Sequence, residues 1–436
     1  MLWLTNNQAK AGSTPKVNIQ SLFPFSGYRV KHVKVPDDPK APIRIHLERE
    51  TERPLLCHCC GRPMQRVRGY ERASAEDLTV VGRKTFIHFR RLKARCTGCR
   101  KTRLEACDFI AKASPHLTTR LAFWLYRLCE VAPIARVADL VEHNKMTLWR
   151  VDLVQLQAYF AHYQIPDVTH LTVDEVYAKA YHDEKIDETR DDRFFTIVTC
   201  MTTHKVVWVE QSRRKAALDR FFEKLGKDRC ERLVVVATDE HEGYAKSIKE
   251  HCPSATHVLD RFHLIKNFEE AVNDTRKRLF KMLPQKSTRD LARPKYRFIF
   301  LKKADRRTDA EKSHMERVMK DNEAFFRLEL IKERMITFFD AADADEALKI
   351  FYELRDWIWE AGFPELKSWW SRIGKKWETV ANYFKFRVTS ALAEGVNNVI
   401  KALKRRAYGF QNMDYFRLKI LQTCGFLNSR YQLVQN

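Results

Sequence analysis

The stretch from residue 169 to 261 constrains the fold most, because its apolar pattern switches repeatedly between two periods. THLTVDEVY, FFTIVTCM and KVVWVEQ alternate residue by residue and read as strands, the last two joined by the hairpin-like Thr202-Thr203-His204. AALDRFFEKLG then follows helical spacing, and after it come the apolar run RLVVVATD, the helix-like EGYAKSIKEH and the short run THVLD. Three meandering strands followed by helix, strand, helix and strand predict a mixed sheet with helices packed against it. The sequence therefore predicts a multidomain α+β chain in which residues 166–261 form the first part of a mixed α/β core.

The flanking segments differ in kind. Residues 1–50 form a mixed arm with the strand-like pieces GYRVKHVKV and IRIHLERE, and residues 51–110 carry paired cysteines around the alternating stretches DLTVVG and KTFIHFRRLKARC. Within 111–165, LTTRLAFWLYRLCE, IARVADLVEHN and MTLWRVDLVQLQAYF read as three helices, with Asn144-Lys145 as the short break between the last two. That pair resembles a helix-turn-helix in which residues 146–158 would enter a major groove, with Lys145, Thr147 and Arg150 placed to touch DNA and Trp149 and Leu153 in the core. Residues 262–385 are helix-like and hold five of the nine tryptophans: Trp357, Trp359, Trp369, Trp370 and Trp377. Such residues stack on unpaired bases in some proteins, but helix-bundle core is the favoured reading here. Residues 386–436 close the chain with an amphipathic helix and a helix-like tail.

Charge narrows the partners. Lys and Arg number 79 against 56 acids among 436 residues, a formal charge of +23, with a pI near 9.6. That balance suits a polyanion. No apolar run approaches the ~20 residues of a bilayer helix, and no basic start leads into a long apolar stretch, so the expectation is a cytoplasmic protein without a membrane partner. Eleven cysteines are an odd number. Six are scattered like the buried thiols of a reducing compartment: Cys107, Cys129, Cys200, Cys230, Cys252 and Cys424.

The others cluster. Cys57-x-x-Cys60 and Cys96-x-x-Cys99 are separated by 35 residues, and two such knuckles complete a tetrahedral site for structural zinc. His58 and Cys59 leave the first pair ambiguous. Cys57 is preferred because the spacing then matches on both sides and Gly61 follows as the turn residue.

Three carboxylates stand out on this basic chain. Asp174 lies within LTVDEVY, Asp239 ends RLVVVATD, and Glu394 opens SALAEGVNNVIKALKRR. Taken singly, Asp239 reads as a helix cap and Asp174 as a solvent-facing strand residue. Taken together, an acid at the carboxyl end of a strand is where α/β sheets gather function. At about 100° per residue, Asn398, Lys401 and Arg405 fall on the same side of their helix as Glu394, while Leu392, Val396, Val399, Ile400 and Leu403 fall opposite. Glu175, Glu240 and Glu242 compete for the same roles. Attack on a phosphodiester needs charge neutralised and an oxygen nucleophile activated, and two Mg²⁺ ions about 4 Å apart, held by carboxylates, supply both.

CHCCG…RCTGCR, LTVDEVY, VVVATDEHEGY, LDRFHLIK and LAEGVNNVIKALKRRAYGF together resemble the ISL3-type insertion-sequence transposases of bacteria, within the DDE superfamily, over nearly the whole chain. The resemblance implies an RNase H-like core with Asp174 on its first strand, Asp239 on its fourth and Glu394 on its closing helix. The 154 residues between Asp239 and Glu394 would be accounted for by an all-helical insertion at 262–385, with the core completed by 386–436. It maps an Asp-x-x-His element onto Asp260 and His263, near the active site; a capping aspartate and an ordinary histidine are the equal alternative. Cys59 is an addition to the family pattern.

These readings converge on a nucleoid-associated DNA transposase. It is expected to bind double-stranded DNA at the terminal inverted repeats of its own element and then target DNA, with Mg²⁺ or alternatively Mn²⁺ as cofactor beside structural Zn²⁺. Lys404, Arg405 and Arg406 would hold phosphates, and at least a dimer would join two ends. The alternatives are a non-catalytic DNA-binding regulator derived from such an enzyme, or an RNase H-like nuclease.

Overall fold

The computed structural model describes residues 25–178, 190–283, 294–320, 322–388, 391–428 and 430. The chain divides into two compact units, Met1–His162 and Tyr163–Asn436.

In the first unit a sheet is built from β1 (Tyr28–Lys34), β2 (Ile43–Arg49), β3 (Met64–Val80), β4 (Arg83–Cys96) and β5 (Thr102–Leu104). The order is β1-β2-β4-β3, with β5 also on β4. β2 and β4 run parallel, so residues before position 50 belong to the same sheet as the cysteine-bearing strands. β3 and β4 form a long hairpin that turns through Val81 and Gly82, both at positive φ (51° and 73°), as a two-residue type I′ turn requires. One face of the sheet is apolar: Tyr28, Ile45, Ile87, Phe89 and Phe109 pack together. Glu105 is fully buried beneath it and is satisfied by Tyr28 Oη (3.0 Å), Arg49 Nε (2.9 Å) and the Leu92 amide (2.8 Å). A buried carboxylate persists only with such partners.

Three helices follow: α1 (Thr119–Val131), α2 (Ile134–Val141) and α3 (Lys145–Ala161). Thr118 caps α1 and donates to the buried Asp77 of β3 (2.7 Å), tying the helix to the sheet. α2 ends on Glu142 in the left-handed region, and Asn144 Oδ1 caps α3 by accepting from the Met146 amide (2.8 Å). The break thus spans Glu142–Asn144, and Lys145 already belongs to the helix. The buried positions of α3 are Leu148, Val151, Asp152 and Leu156, whereas Trp149 and Leu153 are only half-buried, because the stripe facing α1 and α2 runs one residue away from the expected one.

The second unit is a mixed sheet with helices. Its strands are β6 (His170–Tyr177), β7 (Phe194–Cys200), β8 (Lys205–Gln211), β9 (Val235–Thr238) and β10 (Thr256–Leu259), ordered β10-β9-β6-β7-β8. The first three form an antiparallel meander, and β9 and β10 add to β6 in parallel. β9 is buried along its whole length, which explains its unbroken apolar sequence. The connections are α4 (Lys215–Leu225), the single turn α5 (Lys227–Cys230) and α6 (Glu242–His251).

After β10 the described residues are helical: α7 (Arg261–Met282), α8 (Pro294–Leu301), α9 (Asp309–Lys320), α10 (Glu323–Phe338), α11 (Ala344–Ala361), α12 (Pro364–Gly374) and α13 (Trp377–Phe386). They share one apolar core with the sheet edge, since Val235, Ala237, Val258 and Leu259 cluster with Phe268, Phe338, Leu354 and Trp369. Trp369 is buried at the centre of this core; Trp357, Trp370 and Trp377 pack on it, and Trp359 is 43 % exposed. α14 (Ala391–Arg406) and α15 (Met413–Cys424) close the described chain, α14 against β6 and α15 against β8. At the end of α15, a Cβ on Gly425 would meet the Val206 carbonyl oxygen at 2.5 Å, so the position requires glycine. No helix among the described residues is long and apolar enough to cross a membrane.

Candidate active site

The parallel register of the second unit lines up three aspartates. Thr172 pairs with Ala237 on β9, and Thr238 pairs with Leu259 on β10. Carrying both registers on to the strand ends sets Asp174, Asp239 and Asp260 in one row, on neighbouring strands about 4.8 Å apart. The Asp260 amide donates to the Thr238 carbonyl oxygen (2.7 Å), which keeps the outer strands in step up to this row. All three acids stand at or beyond the carboxyl ends of their parallel pairings, where α/β sheets place their chemistry.

Each is held differently. Asp174 accepts from the Glu175 amide through Oδ1 (2.7 Å) and from Asn397 Nδ2 through Oδ2 (2.6 Å). Burial pushes its carboxyl above the usual range, and the charge of Asp239 adds to the shift; His263, the Glu175 amide and Asn397 pull the other way. Asp239 Oδ1 accepts from the His241 amide (3.0 Å). Asp260 caps α7 through the Phe262 amide (3.0 Å), and its other oxygen lies 2.8 Å from His263 Nδ1. The opposite ring nitrogen of His263 lies 3.8 Å from Asp174. Burial disfavours charging this imidazole, but the Asp260 hydrogen bond and the charges of Asp174, Asp260 and Asp239 prevail and raise it to about 8. His263 thus spans two of the three acids, which favour its charged form.

The competing acids fall into place. Glu240 is engaged structurally, by Arg372 Nε (2.8 Å) and Asn267 Nδ2 (2.6 Å). Glu175 points to the other face of β6, 3.7 Å from Arg213, and is raised to about 7, chiefly by burial and then by Asp239. Glu242 sits in the first turn of α6.

The helix bearing Glu394 is rotated from the expected orientation. Ala393, Val396 and Ile400 are its buried residues, while Val399 is 45 % exposed. The amide that reaches Asp174 is therefore Asn397, and Asn398 is exposed together with Glu394, Lys401, Arg405 and Arg406. Glu394 stands one turn before Asn397, a neighbouring position on the helix surface. The oxygens of Asp174, Asp239 and Glu394 do not all come within 4.8 Å of one another. Lys404 is half-buried and donates to the Tyr177 carbonyl oxygen at the end of β6 (3.3 Å).

In the first unit, Cys57, Cys60, Cys96 and Cys99 bring their sulfurs within 4.8 Å of one another. The two knuckles repeat one backbone pattern: the Gly61 amide donates to the Cys57 carbonyl oxygen (2.9 Å) and the Arg100 amide to that of Cys96 (3.0 Å), with Gly61 and Arg100 both at positive φ. The Cys99 amide donates to Cys96 Sγ (3.3 Å) and, first among several causes, lowers that thiol to about 6. Four converging sulfurs on two such knuckles are consistent with a zinc ribbon. Cys59 is exposed and its sulfur lies 3.5 Å from His58 Nε2, outside the four-sulfur group. At the start of α3, Lys145 and Arg150 are exposed and Thr147 is half-buried.

Residues 183–420 match the DDE transposase family of the ISL3 type, described as a transposase. The chain belongs to that family. It is 25 % identical over 407 residues to the transposase for insertion sequence element IS1001 of Bordetella parapertussis, covering 92 % of this chain and 96 % of that protein. It is 22 % identical over 255 residues to the transposase for insertion sequence element IS1557 of Mycobacterium tuberculosis, covering 52 % of this chain and 56 % of that one. Sequence reasoning about this transposase missed Asn397 and the bridging position of His263. The adjacent pair Asn397-Asn398 was the available signal, and only the packing of α14 decides between them.

Proposed function

We propose that the chain is a DNA transposase that binds the terminal inverted repeats of its own insertion sequence and catalyses strand cleavage and strand transfer at one carboxylate centre. The observation that carries this reading is the row of Asp174 and Asp239 on adjacent parallel strands, fastened by Asn397 to the helix that bears Glu394. The strand order, a three-strand meander extended by two parallel strands, supports an RNase H-like core.

The residues fit divalent metal. Asp174 is a half-buried acid raised by desolvation and by Asp239, and Asn397 Oδ1 is a buried acceptor with no hydrogen-bond partner. Hard cations such as Mg²⁺ or Mn²⁺ take such oxygen-rich sites. Asp174, Asp239 and Glu394 would hold two ions, which when bound neutralise phosphate charge and activate water or a 3′-hydroxyl. Among the chain's own groups, His263 and Asn397 favour the ionised form of Asp174, Asn397 by donating to its Oδ2, and exposed Lys401, Arg405 and Arg406 face solvent where phosphates would arrive. In-line attack by water breaks the bond from phosphorus to one strand's oxygen, and the freed 3′-hydroxyl then attacks target DNA without a protein–DNA bond. The zinc ribbon and α3 would read the ends, and joining two ends calls for at least a dimer.

The exposure of Glu394 favours one other reading, a DNA-binding regulator without catalysis. Purified full-length protein and a plasmid carrying the element with its flanks separate the two. Mg²⁺-dependent cuts at the element ends that vanish in Asp239→Asn support the enzyme. End binding without cuts in wild type supports the regulator, and no preference for the ends sinks both.

A further inference from the structure

The sheet of the first unit buries one face and leaves the other to solvent, and that open face carries an ordered array. Register sets His32, His46 and His88 side by side on β1, β2 and β4, with ring centroids stacked at 4.3 and 5.0 Å. In the row beside them Lys34 lies opposite Arg44. On the other side Arg90 lies opposite Arg72, and the Arg90 guanidinium sits 4.6 Å over the Tyr70 ring. Lys34, Arg44, Arg72 and Arg90 are all exposed.

The acids of this face are already engaged. Glu48 pairs with Arg29 (2.9 Å) and Lys31 (3.5 Å), and Glu76 lies 3.5 Å from His143. Among the described residues, then, four cations surround the imidazole row with no carboxylate to offset them. Like charges gathered this way repel in the free protein and are relieved by a polyanion. His88 Nε2, moreover, is buried without a hydrogen-bond partner.

We propose that this open face is a second duplex-DNA surface, gripping the phosphate backbone beside the segment read by α3. The inference rests on the transposase reading and names where the additional backbone contacts lie. Neighbouring strands about 4.8 Å apart, with same-face residues about 6.7 Å apart along each strand, make a flat cationic grid about 14 Å wide. A duplex strand offers one phosphate charge per ~3.4 Å of axis, dense enough to meet several cations at once. The face also adjoins the recognition segment. His143 and Glu142, in the turn that starts α3, contact Glu76 and Lys84 at its rim, the latter pair at 2.9 Å. Arg and Lys with few base-reading amides bind phosphate without reading sequence, so this surface adds grip rather than specificity.

The test uses zinc-loaded full-length protein and fluorescence anisotropy on two duplexes, an element end and a scrambled sequence, across a salt series. The variant changes Lys34, Arg44, Arg72 and Arg90 to Gln; a charge-preserving control changes the three arginines to Lys. The log K against log salt slope should fall by about 0.9 for each phosphate no longer neutralised, roughly 2–4 in total, equally on both duplexes, with the slope kept in the control. A glutamine variant with the wild-type slope on end DNA overturns this surface and leaves the transposase reading standing. Wild type that binds neither duplex overturns that reading and this inference with it. A variant that loses affinity for phosphatidylserine vesicles but none for DNA assigns the face to a membrane and also overturns the proposal.

Discussion

Substituting Asn397 by Ala tests the link between the closing helix and the acid row. The side chain donates to Asp174 Oδ2 at 2.6 Å, and Asp174 is a half-buried carboxylate already raised by desolvation. A hydrogen bond to a charged group contributes about 1.5–3 kcal/mol, a factor of about ten to a hundred in any step that needs the ionised carboxylate. Losing it raises Asp174 further. The sign follows: a folded-state acid raised above its unfolded value contributes stability fully present below the unfolded range, near pH 3.9, and loses it as pH rises through the folded value. Asn397→Ala should therefore be destabilised most at neutral pH and converge on wild type in acid. Its Mg²⁺-dependent cleavage should drop about ten- to hundredfold, with the acid limb of the pH profile displaced upward. Urea unfolding at several pH values and single-turnover cleavage would measure both. Asn398→Ala, altering the exposed neighbour, is the control. Equal damage from the two substitutions, or an Asn397→Ala acid limb identical to wild type, would refute the reasoning.

The four-cysteine cluster should hold one zinc per chain by atomic absorption, lost in Cys99→Ser and retained in Cys59→Ser, because Cys59 lies outside the four-sulfur group. His46 and His88 are held below the ordinary imidazole value, His46 by burial and then His32, Arg44 and Lys34, His88 by burial and then His46 and Arg44. Their unfolded forms take up protons first, so the unit should lose stability as pH falls through about 6.5, and His46→Gln with His88→Gln should flatten that dependence in urea melts. Val81 is a β-branched residue at φ 51° and 93 % exposed. Val81→Asn should relieve part of a strain of about 1–2 kcal/mol and raise the urea midpoint.

What the sequence revealed followed from local pattern. RLVVVATD is legible as a strand because β9 is buried on both faces, and the matched CxxC spacing already favours Cys57 over Cys59. What stayed hidden is set by distant pairing. The parallel match of β2 with β4 draws residues before position 50 into the cysteine-bearing sheet, and no short-range signal announces it. The angular argument set Asn398 on the side of Glu394, and both are exposed, but it could not say which face meets β6. Packing chose the stripe through Ala393, Val396 and Ile400, and so Asn397. Asp260 and His263 stood level between cap and active site; in the structure Asp260 caps α7 and lies 2.8 Å from His263, whose other ring nitrogen is 3.8 Å from Asp174.

The shared core between the sheet edge and the helices from α7 to α13 also orders events during synthesis. Chains fold as they emerge, amino end first. Asp174, Asp239 and Asp260 leave the ribosome early, but Val235, Ala237, Val258 and Leu259 beneath them find their apolar partners only as those helices arrive. Asn397 and Glu394 come later still. A product cut short before residue 391 therefore lacks the last partners of its acids, and one cut short before residue 261 lacks the settled floor as well. For a protein proposed to break the chromosome that encodes it, an unfinished copy is a harmless one.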